Sequence, residues 1–175
     1  MHIVFIRHAE PNYETVRQRR FIGHGIDLAG LSEKGVRQAE AVSKNEKLRT
    51  AQIILSSPYT RALQTAAIIS KNTGLDIKVE TDLHEWLPDT TFQYSGPEHF
   101  IELLKEVKQF KGEHNAACKY KWESYSQVKN RAVHVLEKYM DYQNIAVVTH
   151  GVLIRQFVNQ ERIPYCGLIE TDMTN

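Results

Sequence analysis

Ile3-Val4-Phe5-Ile6-Arg7-His8 stands at the start of the chain, and Ile145-Ala146-Val147-Val148-Thr149-His150 stands near its other end. In each, a short apolar run rich in β-branched residues leads to a histidine. Such a run marks a strand buried on both faces, as in a parallel sheet covered by helices. Reactive loops in these sheets gather at the carboxyl ends of the strands. Two histidines leaving two strand ends, one behind an arginine, point to a single site for a phosphoryl group. An imidazole can attack phosphorus, and a guanidinium can hold two of its oxygens.

Working outward from the first run, residues 9–31 contain Pro11, Gly23, Gly25 and Gly30 and read as one irregular connection. Long connections in compact domains are often functional. Ser32 fits an N-cap, with Val36, Ala39 and Val42 at helical spacing as far as about Lys47. Gln52 to Ser56 reads as a second strand, and Ser57-Pro58 as a helix cap with proline at the first helical position. That helix would bury Ala62, Leu63, Ala66, Ala67 and Ile69 and end at Gly74 in a left-handed turn. Ile77 and Val79 alternate with polar residues as an edge-ward third strand.

Ser95-Gly96-Pro97 reads as another helix start, with Phe100, Ile101, Leu103, Leu104 and Val107 on one face. A polar stretch over 111–123 separates it from a helix near 125–141, expected to be the longest, marked by Val128, Ala132, Val135, Leu136 and Tyr139. A short helix follows His150, and Cys166 to Thr171 reads as the last strand. Strands alternating with helices, without repeat or linker, predict one α/β domain over 1–175. Its mainly parallel sheet would be the middle layer of a three-layer α/β/α sandwich.

Composition narrows the function. The 175 residues are 42% hydrophobic, with 22 basic and 21 acidic side chains and a formal net charge of +1. A packed core is expected, and no global field draws the chain to nucleic acid. Arg17, Arg19 and Arg20 form the only dense basic run and read as a solvated surface or the edge of a substrate loop, not as a nucleic-acid contact. No secretory signal or membrane span is evident, and Cys118 and Cys166 have neither zinc spacing nor a disulfide framework. A cytoplasmic protein with reduced thiols, no metal and no cofactor is expected. His2, His24, His84, His99, His114 and His134 show no paired ligand spacing.

Arg61 falls in the first turn of the helix opened by Ser57-Pro58, where exposed amides and the helix dipole favour an anion. With it, five ordered blocks stand out. They are Arg7-His8-Ala9-Glu10; Leu31-Ser32-Glu33-Lys34-Gly35 with Ala39; and Ser56-Ser57-Pro58-Tyr59-Thr60-Arg61-Ala62 with Gln64-Thr65-Ala66. Leu83-His84-Glu85 and Val148-Thr149-His150-Gly151 complete the set. In these blocks and their order the chain resembles the histidine phosphatase superfamily, in its phosphoglycerate-mutase-like branch.

The resemblance implies that His8 is the nucleophile that becomes phosphohistidine, and that Arg7, Arg61 and His150 surround the phosphoryl oxygens. It implies Glu85 as the proton donor, with Asp82, Asp89 and Glu10 as alternatives for that task. Two guanidiniums and an imidazolium would stabilise the charge on the equatorial oxygens without a metal. Trp86, Phe92, Tyr94 and Trp122 are equally readable as the lining of a substrate mouth or as packing beneath a long connection.

The chain departs from the family's pattern at Ala9, usually glycine, which leaves the phosphate pocket intact if its φ stays below zero. Glu14 falls where the mutases have an asparagine that contacts phosphate. Behind Glu85, Trp86-Leu87-Pro88-Asp89 replaces the block that holds phosphoglycerate. The chain is also much shorter than those mutases. These departures favour a metal-independent phosphatase, of the histidine acid phosphatase type, over a cofactor-dependent mutase. A third reading is a non-catalytic phosphate-binding protein. The substrate would be a phosphorylated small molecule or a phosphoprotein, with no nucleic acid or membrane partner. Which substrate, and what oligomeric state, the sequence does not say.

Overall fold

Strand β1 (His2–Arg7) pairs in parallel with β4 (Asn144–Thr149), and β4 pairs in parallel with β2 (Ile54–Ser56). The computed structural model describes residues 1–93 and 96–174. Among these, β3 (Ile77–Val79) continues the sheet in parallel beyond β2, and β5 (Leu168–Asp172) closes the far edge antiparallel to β1. The order is β3-β2-β4-β1-β5. Helices α1 (Glu14–Gln18), α2 (Glu33–Val42), α3 (Thr60–Thr73), α4 (Pro97–Gln109), α5 (Tyr125–Glu137) and α6 (Gly151–Ile154) surround it, with short 3-10 turns at Gly23–Leu28, Glu46–Leu48 and Thr81–Leu83.

Residues Ile3 to Ile6 and Ile145 to Val148 are all buried, as expected for strands covered on both faces. Alternate side chains divide between two cores. Ile3, Phe5, Leu55, Ile145 and Val147 pack with residues of α4, α5 and α6. Val4, Ile6, Ile54, Ala146 and Val148 pack with Val42 of α2 and Ala62, Ala66 and Ile69 of α3. The α/β/α layering follows from this division.

It also positions the site. The chain leaves β1 towards the face carrying α2, whereas it leaves β4 towards the face carrying α6. β1 and β4 are neighbours, so their outgoing loops part and leave a crevice at their carboxyl ends.

Several elements differ from the sequence reading for identifiable reasons. The connection over 9–31 contains α1 and a 3-10 turn, tied back by Asn12 N–H to the Gly30 carbonyl at 2.7 Å. Ser32 caps α2 as expected, accepting from Gly35 N–H at 2.9 Å, but the helix stops at Val42 and the chain re-enters a 3-10 turn at Glu46–Leu48. Gly35 is required sterically, because a Cβ there would stand 2.2 Å from the Glu10 carbonyl oxygen.

Helix α3 begins at Thr60, with Tyr59 rather than Ser57 at the cap, because the Ser57 hydroxyl is engaged elsewhere. Its end is as expected, with Gly74 at φ +77° donating to the Ser70 carbonyl. At 14 residues α3 is longer than α5, which has 13 and a Ser124–Gln127 capping box. The start of α4 expected at Ser95 lies partly outside the described residues. No helix among the described residues is long and apolar enough to cross a membrane.

Candidate active site

The ladder that joins the strands runs one residue into the loops. His8 N–H donates to the Thr149 carbonyl at 2.9 Å, and Ser57 N–H donates to the Val148 carbonyl at 3.0 Å. His8 and His150 therefore leave adjacent strands at the same level, and Ser57 leaves β2 one residue earlier, level with Arg7 and Thr149. The His8 and His150 rings lie 5.1 Å apart, both buried.

The state of His8 can be read from its contacts. Its Nδ1 lies 2.8 Å from the Ala9 carbonyl oxygen, which can only accept, so Nδ1 carries the proton. Nε2 is then the lone-pair nitrogen, and it accepts from Arg61 Nε–H at 3.2 Å. Burial, followed by the charges of Arg61 and Arg7, lowers the pKa of His8 to about 3. The ring is a neutral imidazole with one fixed tautomer. Ala9 keeps φ below zero, so the alanine in place of glycine is accommodated.

His150 is held from the other side. Ser57 Oγ lies 2.7 Å from its Nε2 and also accepts Tyr59 N–H at 3.3 Å. The arrangement that uses Ser57 fully has its hydroxyl donating to Nε2, which puts the proton of His150 on Nδ1. That buried Nδ1 has no partner, and neither does the buried Nε of Arg7. An unmatched buried donor is costly. Burial, then the neighbouring His8 and Arg61, holds the pKa of His150 well below the ordinary value. This direction favours a neutral imidazole.

Two arginines flank the rings. Arg61, buried in the first turn of α3, donates from Nη1 to Asp27 Oδ1 at 3.0 Å. Arg7 donates from Nη1 to the Ile163 carbonyl at 2.6 Å, with its guanidinium carbon 4.3 Å from the Tyr165 ring centroid.

Glu85 follows the 3-10 turn Thr81–Leu83. Its carboxylate accepts Trp86 N–H at 2.9 Å and Val152 N–H at 3.3 Å, which ties it to the turn just after His150. Burial raises its pKa despite these bonds and the charge of Arg61. A carboxyl that keeps its proton to higher pH can protonate a leaving oxygen.

The alternative carboxylates are placed differently. Glu10 is engaged by Lys34 and Ser32, both at 2.9 Å, and these bonds lower its pKa. Asp89 accepts from Thr91 N–H, Thr91 Oγ and Gln93 N–H as a turn cap. Asp82 is exposed. Glu14 lies on α1, where its carboxylate accepts from Gln18 Nε2 at 3.1 Å.

Trp86 and Trp122 belong to the core, where their indole N–H groups donate to the Glu123 carbonyl and to Glu106 Oε1. Phe92 is exposed against His24, and Tyr94 lies outside the described residues. Sequence reasoning missed Asp27, Tyr165, the Ile163 carbonyl and the Ser57–His150 bond. The only signals available were the length of the 9–31 connection and the second serine before Pro58. Among the described residues, no three His, Cys, Asp or Glu side chains are grouped so as to hold a metal ion.

The model of the histidine phosphatase superfamily, branch 1, matches residues 3–163. Phosphoserine phosphatase 1 of Hydrogenobacter thermophilus is 25% identical over 183 residues, covering 98% of this chain and 78% of that protein. Bifunctional protein Rv2228c of Mycobacterium tuberculosis is 29% identical over 132 residues, or 61% of this chain and 35% of that protein. The chain therefore spans about a third of the latter. The structure of Bacillus stearothermophilus YhfR superposes with a TM-score of 0.75 at 18% identity, covering 99% of this chain and 91% of that one. With a family model spanning nearly all of the chain, and a likeness of fold to match, this protein belongs to the histidine phosphatase superfamily.

Proposed function

We propose that this chain is a phosphatase that hydrolyses a phosphomonoester of a small molecule through a phosphohistidine on His8. One observation carries the reading: His8 is a neutral imidazole whose tautomer presents Nε2 to Arg61, and two further buried polar atoms of the cluster, Arg7 Nε and His150 Nδ1, have no partner. In the first step Nε2 attacks phosphorus while the bond to the ester oxygen breaks. Positive charge grows on the ring, and the Nδ1–H bond to the Ala9 carbonyl stabilises it. Arg7, Arg61 and His150 Nδ1–H hold the phosphoryl oxygens, and Glu85 gives its proton to the departing alkoxide. In the second step water attacks phosphorus, Glu85 takes a proton from that water, and the P–N bond breaks to return neutral His8 and inorganic phosphate. The arginines supply the positive charge, so no step needs a metal.

The relative named as a phosphoserine phosphatase supports a small phosphorylated alcohol as substrate, the water-accepting reaction over phosphoryl return, and a working enzyme over a bare phosphate binder. We further read 1–175 as one domain and place it in the cytoplasm, a reading supported by the span of the family match and the free thiols Cys118 and Cys166. The test is to mix enzyme with a ³²P-labelled alkyl phosphate and quench in alkali. Label on His8, stable to alkali and labile to acid, with stoichiometric release of inorganic phosphate is expected. Turnover without label on His8 in rapid-quench samples overturns the mechanism. Transfer of label to an added phosphoglycerate instead of water identifies a mutase.

A further inference from the structure

A general acid must be held to within about 0.5 Å of its working position, yet Glu85 stands on the irregular stretch 84–93 that follows the turn Thr81–Leu83. Arg131 of α5 and Glu123 form a bidentate ion pair with both side chains nearly buried, at 12% and 8% exposure. Arg131 Nε donates to Glu123 Oε1 at 2.6 Å, and Nη2 donates to Oε2 at 3.1 Å.

The remaining capacity of both partners goes to the segment that carries Glu85. Arg131 Nη1 donates to the Asp82 carbonyl, and Nη2 donates to the carbonyl of Glu85 itself at 3.3 Å. Glu123 Oε2 accepts Leu87 N–H at 3.1 Å, and the Glu123 backbone accepts the Trp86 indole N–H and donates to the Leu87 carbonyl. The pair thus grips residues 82, 85, 86 and 87, on both sides of the carboxyl. A buried ion pair contributes little net stability compared with apolar residues of the same shape. Its distinctive contribution here is a fixed set of hydrogen bonds to one backbone segment.

We propose that the Arg131–Glu123 pair is the positioning device of Glu85, acting on leaving-group protonation through geometry alone. The inference rests on the reading of Glu85 as the acid. Arg131 is therefore a positioning residue, and its removal should slow the reaction of substrates that need a proton more than those that do not.

The test measures phosphoenzyme formation by rapid quench with an alkyl phosphate and with p-nitrophenyl phosphate. The proteins compared are wild type, Arg131→Gln, Glu85→Gln and the double variant, each checked for folding by thermal melting. A misplacement of about 1 Å costs up to about 10²-fold. Arg131→Gln should therefore lose about 10–10²-fold more on the alkyl than on the aryl substrate. In the Glu85→Gln background the same change should add no more than about twofold, since two residues acting as a unit are not additive.

Equal losses on the two substrates, or a full further loss in the double variant, overturn the positioning role. Should Arg131→Gln fail to fold, Arg131→Lys keeps a charge opposite Glu123 but cannot bond both carbonyls and Glu123 together. It should show the same substrate bias, and a wild-type bias would overturn the proposal. If Glu85→Gln itself lacks the bias, the acid assignment fails first and the positioning inference falls with it. If Glu85→Gln has it and both Arg131 variants lack it, the positioning inference fails alone.

Discussion

His8 and His150 follow two neighbouring strands whose backbones bond to each other, whereas Glu85 stands on an irregular stretch bonded mainly by side chains from distant parts of the chain. On the floor of the crevice, position follows from parallel register: Arg7 pairs with Thr149, and the next residue of each strand is a histidine. On the wall, position depends on Thr149 Oγ donating to the Leu83 carbonyl at 2.7 Å, on the Arg131–Glu123 pair and on two amides that meet the Glu85 carboxylate. A sheet holds the floor as part of the cooperative core. The wall can be loosened one bond at a time. Substitutions in the floor should therefore remove the chemistry outright, and substitutions in the wall should grade it by leaving group.

The largest expected effect is on the floor. His8→Ala should lower kcat by about 10⁴–10⁶-fold, the scale seen when a nucleophile is removed, and should remain folded with a cooperative melt. Steady-state assays with an aryl phosphate, paired with circular dichroism, decide it. Near-normal kcat in a folded variant would remove His8 from the mechanism.

Next comes the wall. Glu85→Gln should slow phosphorylation by an alkyl phosphate by about 10²–10⁴-fold, with a much smaller loss for an aryl phosphate, whose leaving group needs little protonation. Burst kinetics isolate this step from the later hydrolysis, in which the proposed mechanism also gives Glu85 the role of base. The same loss for both substrates would recast Glu85 as a binding or structural residue and erase the contrast between floor and wall.

The same contrast explains what could be read from the sequence. The floor was legible because burial on both faces forces β-branched runs, as in Val4 to Ile6 and Ile145 to Val148, and because the site must lie where such strands end. Glu85 was reached through the family resemblance of Leu83-His84-Glu85, not through any period. Asp27 was hidden because its partner Arg61 is 34 positions away, across a connection with no repeating pattern. Arg131 was hidden because it sits one residue from Ala132 on an ordinary amphipathic helix, while Glu123 ends a polar stretch that reads as solvated. Ser57 reads as a helix cap because serine favours the N-cap and proline the first helical position. A bond between a hydroxyl and an imidazole 93 residues apart leaves no local trace.

A third prediction concerns stability and tests whether the floor is neutral. The folded pKa of His8 is about 3, against an ordinary value of 6.5, and that of His150 is also depressed. The unfolded chain takes up these protons as pH falls below about 6.5, while the folded chain does not. Both histidines therefore contribute stability fully above that pH and lose it as pH falls towards their folded pKa values. Each lowers the unfolding free energy by up to about 1.4 kcal/mol per pH unit in this window. Glu85 acts in the opposite sense, because its raised pKa lets the folded state bind a proton first as pH falls towards 4.5. Urea titrations between pH 7 and 4 should show stability falling with pH, and His8→Asn should make that slope shallower. An unchanged slope would mean that folded His8 takes up its proton over the same pH range as the unfolded chain.

The smallest expected effect is none at all, and it asks whether the floor supplies its own positive charge. Arg61 bonds His8, the charge of Arg7 also acts on that ring, and His150 Nδ1 is buried without a partner, so under the proposed mechanism a bound phosphoryl group would meet donors already in place. Charge that is already in place needs no ion to complete it. Prolonged dialysis against EDTA should leave kcat and KM unchanged. Vanadate, which takes the five-coordinate geometry of phosphorus in transfer, should inhibit competitively in the same dialysed sample. Arg61→Lys sharpens the test, since a point charge cannot reproduce the fork of Nε towards His8 and Nη1 towards Asp27. It should weaken vanadate binding while leaving the indifference to EDTA intact. Activity lost on chelation and restored by a divalent ion would show that the arginines are insufficient, and the metal-free floor would have to be abandoned.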